Sequence, residues 1–184
     1  MEELIKKATD SVVASLRGVD KIYDTMFDIV KGNVVGIFTG TGEIAAAGTG
    51  AVTKIVASLI KGVVEVGGEA GEAAKKVVMG TLEGVAEVGG DTAGMIKDSV
   101  RGAIRGTSEV GGDIGKAAVG AVEGAVKSAE DIGLSTEDAL KNAVTGAIEG
   151  AGEIGGSAIE SVRVALMASV KGAKEILNAP FEKK

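Results

Sequence analysis

The chain has 184 residues, of which 30 are Gly and only 1 is Pro, and it contains no Cys, no His and no Trp. Without imidazole or thiol groups it cannot form a Ser-His-Asp triad, a thiol nucleophile or a zinc or iron site with the usual ligands. A net charge of −6 and an aromatic content of 2% argue against a nucleic-acid partner. Composition therefore predicts a protein that is not an enzyme and that holds no cofactor or metal.

The N-terminal segment, residues 1–18, is charged and amphipathic and lacks the continuous apolar stretch of a secretory signal. We therefore expect a cytoplasmic protein. The segment Asn33–Ile60 carries only two charges, Glu43 and Lys54. Its Gly-Thr steps, and the carboxylate that a bilayer would have to bury, argue against a membrane span.

The sequence repeats with a period of 22 residues. An acid, an aliphatic residue and one or two Gly recur at Glu65–Gly68, Glu87–Gly90, Glu109–Gly112, Asp131–Gly133 and Glu153–Gly156. Eight units fit the chain, so residues 1–184 are predicted to form a single repeat domain. Its repeats are divergent over 1–66 and regular over 67–176, and 177–184 form a tail.

Three columns of apolar residues keep the same period and are predicted to form the core. The first column is Val12, Val34, Val56, Val78, Val100, Val122, Val144 and Leu166. The second is Leu16, Phe38, Ile60, Leu82, Ile104, Val126, Ile148 and Val170. The third is Ile22, Ile44, Val66, Val88, Val110, Ile132, Ile154 and Ile176.

Small residues spaced four apart recur in all eight units. This spacing lets two helix backbones approach closely, which offsets the roughly 0.5–1 kcal/mol that each internal Gly costs a helix. The pattern predicts helix–helix contacts at Gly36, Gly40, Gly62, Gly80, Gly84, Gly102, Gly106, Gly124, Gly146, Gly150 and Gly172.

The Gly-Gly steps are predicted to join the helices. Gly is favoured just after a helix and Asp or Ser at the next N-cap, and the sequence provides Gly90-Asp91, Gly112-Asp113 and Gly156-Ser157 in that order. Ser135 opens a further unit with a pattern similar to a capping box. Turns are therefore predicted at Gly67, Gly68, Gly89, Gly90, Gly111, Gly112, Gly155 and Gly156.

The predicted fold class is all-α: eight 22-residue amphipathic helical repeats with glycine-zipper edges, arranged as an up-and-down antiparallel array or bundle. Long continuous helices are the alternative, because 22 is twice the 11-residue period that keeps an apolar stripe nearly straight. If glycine edges join successive helices, all apolar faces point the same way. The chain then folds back into two layers, pairs with other copies or lies on lipid.

Two motifs suggest ligands, but both fit the repeat better. The run from Val34 to Ala45 looks like a short strand followed by G-x-G-x-x-A, a dinucleotide-binding pattern, yet Gly36 and Gly40 occupy the small-residue columns.

An acidic column is compatible either with a cation ladder or with solvated side chains near helix ends, and we favour the second interpretation. The column comprises Glu43, Glu65, Glu87, Glu109, Asp131, Glu153 and Glu175. The bases expected to offset it are Lys7, Lys75, Lys76, Lys97, Lys141 and Lys171.

The 22-residue amphipathic period resembles the lipid-surface repeats of exchangeable apolipoproteins and, at half the period, synucleins. The Ala-rich, aromatic-poor composition is similar to that of phasins, which coat storage granules. The chain lacks the proline punctuation of the first group and the Lys-x-Lys-Glu-Gly-Val motif of the second, and it has far more Gly than a phasin. These resemblances assign no family and no residue role.

The leading hypothesis is a non-enzymatic structural protein that self-assembles into a homo-oligomer, filament or layer. Its partner is then a second copy of itself. A lipid-surface or granule-coating protein is the alternative, and a glycine-zipper membrane-active protein, based on Asn33–Ile60, is the third hypothesis.

Overall fold

The computed structural model describes residues 2–16, 22–41 and 49–179, and this part of the chain is helical without strands. The prediction of an all-α protein is confirmed. The helices are α1 (Glu2–Leu16), α2 (Ile22–Thr41), α3 (Thr49–Glu65), α4 (Ala70–Glu87), α5 (Thr92–Glu109), α6 (Ile114–Asp131), α7 (Thr136–Ile154), α8 (Gly156–Ser169) and α9 (Ala173–Asn178).

Short turns separate the helices from α3 onward, so residues 49–179 do not form long continuous helices. Helix α4 ends in a Schellman turn, in which Gly89 donates to the Ala86 carbonyl and Gly90 to the Val85 carbonyl. The same pair of hydrogen bonds follows α3, α5 and α6. The first glycine of each turn has a positive φ, which L side chains rarely adopt, at Gly67, Gly89, Gly111 and Gly133.

Side-chain caps begin three of the helices. The Asp91 carboxylate accepts from the Gly94 amide, Asp113 from Lys116, and Ser135 from Asp138. Each cap satisfies one of the amides that a helix start leaves without an intrahelical partner. The helices therefore begin directly after the turns, and α4, α5 and α6 each have 18 residues.

The helices form two layers in which every second helix is a neighbour. Helices α2, α4, α6 and α8 pack side by side in one layer, and α1, α3, α5, α7 and α9 do so in the other. For most of the chain, a helix has more extensive contacts with the helix two positions further along than with the helix that follows it directly. The described residues therefore fold back on themselves as two layers, which was one of the three expected outcomes.

Every second helix runs parallel to its neighbour within a layer. Gly102 and Gly106 of α5 meet Thr53 and Ala57 of α3 in the same order along both helices. Helices α3 and α5 are parallel, so α4, which connects them in sequence, must run in the opposite direction to bring the chain back to the end at which α3 began. Successive helices consequently alternate in direction.

The core lies between the two layers. In the first apolar column every described side chain, from Val34 to Leu166, is fully buried. The third column was predicted to be core as well, but Val88, Val110 and Ile132 are half-buried and Ile154 is 42% exposed. These residues follow or end a helix, so their side chains lie at the border of the core.

The C-terminal unit departs from the others. Gly155 alone separates α7 from α8, and Gly156 is the first residue of α8 although the pattern assigns it to a turn. A second break at Gly172, which has φ 86, separates α8 from the short α9. Arg163 donates through Nη2 to the Leu177 carbonyl and so ties α9 to α8.

Candidate functional site

The closest approaches between helices occur where a glycine edge meets the backbone of the helix two before it. We call such a contact a glycine seam. A β-carbon at Gly80 of α4 would lie 2.8 Å from the carbonyl oxygen of Phe27 in α2. A β-carbon at Gly84 would lie 3.0 Å from the carbonyl oxygen of Lys31. Neither position can accept a side chain unless the backbones move apart.

The seam between α5 and α3 is tighter. A β-carbon at Gly102 would stand 2.5 Å from the Thr53 carbonyl oxygen, and one at Gly106 would stand 2.5 Å from that of Ala57. Other predicted contact residues repeat this geometry: Gly124 against Lys75, Gly146 against Lys97 and Gly150 against Arg101.

Three further glycines, which the sequence pattern did not indicate as contact residues, lie between helices of the even layer. Gly120 of α6 meets the Gly71 backbone of α4, and Gly115 faces Ser161 and Ala165 of α8. Gly71 and Gly115 lie 44 residues apart, which is twice the repeat.

The remaining predicted contact residues differ from one another. Gly36 of α2 is exposed, and no described atom lies within 4 Å of its β-carbon position. Gly62 of α3 is buried and lines a groove beside α1. Gly172 lies in the turn before α9, where a β-carbon would meet Leu140 at 2.9 Å. Gly40 lies in α2, and the surroundings of its side-chain position are outside the described part of the structure.

The second glycine of a turn has a separate role. A β-carbon at Gly68 would meet Val63 Cγ1 at 2.7 Å, and one at Gly112 would meet Thr107 Cγ2 at 2.8 Å. Gly67, Gly89, Gly90 and Gly111 lie in the same turns, and Gly155 forms the link to α8 with φ 149.

Ion pairs flank the glycine seams. Lys61 of α3 lies 3.0 Å from Glu109 of α5, and Lys75 of α4 lies 3.1 Å from Glu123 of α6. In both pairs the earlier helix supplies the base and the later one the acid. Their side chains are one-third to one-half exposed, so each pair adds little stability. Lys116 of α6 and Glu69, which lies just before α4, form a pair of the opposite order at 3.7 Å.

Bases neutralise much of the acidic column. Glu87 pairs with Lys31 at 3.1 Å, Asp131 with Lys127 at 2.7 Å and Glu153 with Arg105 at 3.4 Å. Of the bases expected to offset the column, Lys7, Lys75, Lys97 and Lys141 pair with acids outside it. Glu43 lies outside the described residues.

Burial raises the pKa of two carboxyl groups within the layers. For Glu83, burial is the main cause and the nearby Lys31 opposes it. For Asp98, burial is again the main cause, and the charges of Arg101 and Lys97 oppose it. In the described part of the chain, no group of three or more acidic side chains is arranged to hold a metal ion.

A groove of about 400 Å³ runs along α1, α3 and α5. Ile5 and Ala57 contribute apolar surface, and Lys6, Lys54, Asp10 and Glu65 are among its charged residues. Because charges of both signs line it, the groove has no clear preference for an anionic or a cationic ligand.

The nucleotide-binding pattern requires a strand before its glycines, and this requirement is not met. Residues 34–41 belong to α2, so Gly36 and Gly40 are helical. Residues 42–48, which complete the pattern, lie outside the described part of the structure. No described helix combines the length and apolar character needed to cross a bilayer.

The chain matches no known protein-family model, and no curated protein is significantly similar to it.

Proposed function

We propose that this chain is a non-catalytic structural protein made of eight 22-residue, glycine-edged helical units, and that it works by associating with copies of itself. Each unit contributes one helix, and the eighth is divided between α8 and α9. Glycine seams join units of the same layer, and the apolar columns join the layers.

The observation that carries this proposal is the contrast between Gly36 and Gly80. These residues lie 44 residues apart in the same column and in the same layer. Gly80 packs against α2, whereas Gly36 is exposed with no described atom within 4 Å of its β-carbon position. Helix α2 is thus the first helix of its layer, and it carries the same type of glycine edge that packs against a neighbouring helix elsewhere in the chain.

The C-terminal end of the odd layer is polar, unlike the glycine edge of α2. Helix α9 packs against α7 and α8, and it exposes Lys174, Glu175 and Asn178. A polar terminal element of this kind caps a repeat stack. Helix α9 belongs to the odd layer, whereas the even layer that begins with α2 ends at α8. Two copies that meet through their α2 edges form a closed pair.

The lipid-surface alternative requires the two layers to separate. The apolar columns that would face lipid are the ones that form the core, and Val78, Val100 and Val122 are each 0% exposed. Among described residues the exposed large apolar side chains are Ile154 and Val164, which are too few for a continuous lipid-facing stripe.

Static light scattering of the purified protein tests the proposal. We expect a particle of twice the chain mass of 18.2 kDa at tens of micromolar concentration, with dissociation on dilution. A monodisperse monomer throughout the series contradicts it. Co-sedimentation with neutral and anionic vesicles provides the second arm, and stoichiometric vesicle binding by a monomer would favour the lipid-surface function instead.

A further inference from the structure

Helix α8 ends earlier than the repeat predicts. Asp131, the last residue of α6, corresponds to Glu175 two repeats later, but α8 ends at Ser169. Val170 is extended, with φ −105 and ψ 116, and Gly172 has a left-handed φ of 86. The chain therefore leaves the even layer at this point and turns into α9, which packs against α7.

The early end of α8 leaves the last turns of α6 without a neighbour on that side. A β-carbon at Gly115 would lie 3.3 Å from Ala165 Cβ, and α6 runs parallel to α8, so α6 continues for about two turns beyond Ser169. Val126 lies in this stretch and is half-buried. Leu82, which stands 44 residues earlier in the same column and layer, is 0% exposed. The short α8 accounts for the uncovered apolar surface at Val126.

A cavity of about 390 Å³ lies at this position. Its apolar lining comes from Val126 of α6, Leu140 of α7 and Val170 at the end of α8, all of them half-buried. This volume lies within the roughly 300–1,000 Å³ that is typical of small-molecule sites, and apolar surface of this kind favours an alkyl chain.

Charged side chains also line the cavity, and one of them lacks a partner. Lys75 Nζ lies 3.1 Å from Glu123, and Lys127 Nζ lies 3.1 Å from Glu130. Lys171 is exposed and forms no ion pair with any other residue that the structure describes. The cavity thus offers one ammonium group to a ligand without breaking an existing pair.

We propose that this cavity binds a small amphipathic anion, namely a carboxylate with an unbranched alkyl chain. The alkyl chain lies against Val126, Leu140 and Val170, and the carboxylate pairs with Lys171, whose single unpaired charge matches that of the ligand. Binding leaves the core between the layers closed, unlike the lipid-surface alternative, and it does not depend on whether copies of the chain associate.

Isothermal titration calorimetry with octanoate at ~pH 7 tests this proposal, because octanoate carries both features of the expected ligand. We expect saturable binding at one site per chain. Acetate lacks the alkyl chain and should give no detectable binding. 1-Octanol has the same chain without the charge and should bind about tenfold more weakly than octanoate.

Variants of the cavity assign the binding to its residues. Lys171→Gln should weaken octanoate binding by about tenfold, whereas Lys174→Gln, at an exposed lysine of α9 outside the cavity, is the matched control and should not change it. Val126→Phe fills the cavity and should abolish binding, with circular dichroism as the check on folding. If Val126→Phe does not fold, the comparison of the two lysine variants decides.

Two results would overturn the proposal. One is the absence of saturable octanoate binding to the wild-type protein at millimolar concentration. The other is an octanoate affinity that is the same in Lys171→Gln and Lys174→Gln.

Discussion

The carbonyl oxygen of Thr53 lies 2.5 Å from the position that a β-carbon of Gly102 would occupy. This contact joins α3 to α5, two helices that are separated in sequence by α4. A real β-carbon does not approach a backbone oxygen this closely, so glycine at position 102 is a condition for the seam.

Gly102→Ala should therefore destabilise the protein, by about 1–3 kcal/mol, because the added methyl group pushes α5 away from α3. Gly152→Ala is the matched control, since Gly152 is an exposed residue of α7 and a β-carbon there would meet only Ile159, at 4.0 Å. The control should gain roughly 0.5–1 kcal/mol from the better helix propensity of Ala.

Urea unfolding followed by circular dichroism measures both free energies. Equal effects of the same sign at positions 102 and 152 would show that the seam is not tightly packed.

The turn after α5 depends on the backbone conformation of one residue. Gly111 has φ +68, and its β-carbon position is open, so a substitution there acts through the backbone alone. Gly111→Ala should lower the free energy of unfolding by about 1–2 kcal/mol, because L residues are strained in this conformation. Gly111→Asn should lose less, since Asn tolerates the left-handed region better. Similar losses for Ala and Asn would indicate that the turn has a different conformation in solution.

The ion pair between Lys61 and Glu109 tests the role of the acidic column. Both side chains are more than two-fifths exposed, so their coupling in a double-mutant cycle should be only about 0.2–1 kcal/mol and should fall with added salt. Glu109→Gln should accordingly change stability little. A loss of several kcal/mol, or a large stabilising effect of Ca²⁺ that the variant lacks, would favour the cation-ladder interpretation.

The sequence predicts where the helices begin and end far better than which helices pack against each other. Apolar periodicity indicates helical units, and Asp113 after Gly112 indicates a helix start, because both signals arise from residues close in sequence. Glycines spaced four apart indicate that the backbone of another helix packs closely against them, but they do not indicate which helix that is. In the structure Gly102 meets α3 because α4 crosses to the other layer between them.

The cross-helix ion pairs were missed for a related reason. Lys61 and Glu109 are 48 residues apart, and each resembles an ordinary solvated side chain until the layer order is known. The buried Asp98 was missed because its neighbours include Thr53 of α3 and Glu149 of α7, which are distant in sequence. Gly71 and Gly115 are 44 residues apart, but Phe27 and Ile159 stand at the next positions with that spacing, so no doubled period marks the layer order.

Self-association through the α2 edge is tested most directly by sedimentation velocity over a dilution series of two matched variants. Gly36→Leu adds a bulky side chain at an exposed glycine of α2, and Gly152→Leu adds the same group at an exposed glycine of α7. Leu favours helix in both places, so neither change should impair folding. The account predicts that the wild-type protein and Gly152→Leu form pairs that dissociate on dilution, whereas Gly36→Leu remains monomeric at tens of micromolar concentration. Pairing of Gly36→Leu with unchanged affinity, or a wild-type protein that is monomeric throughout, would contradict it.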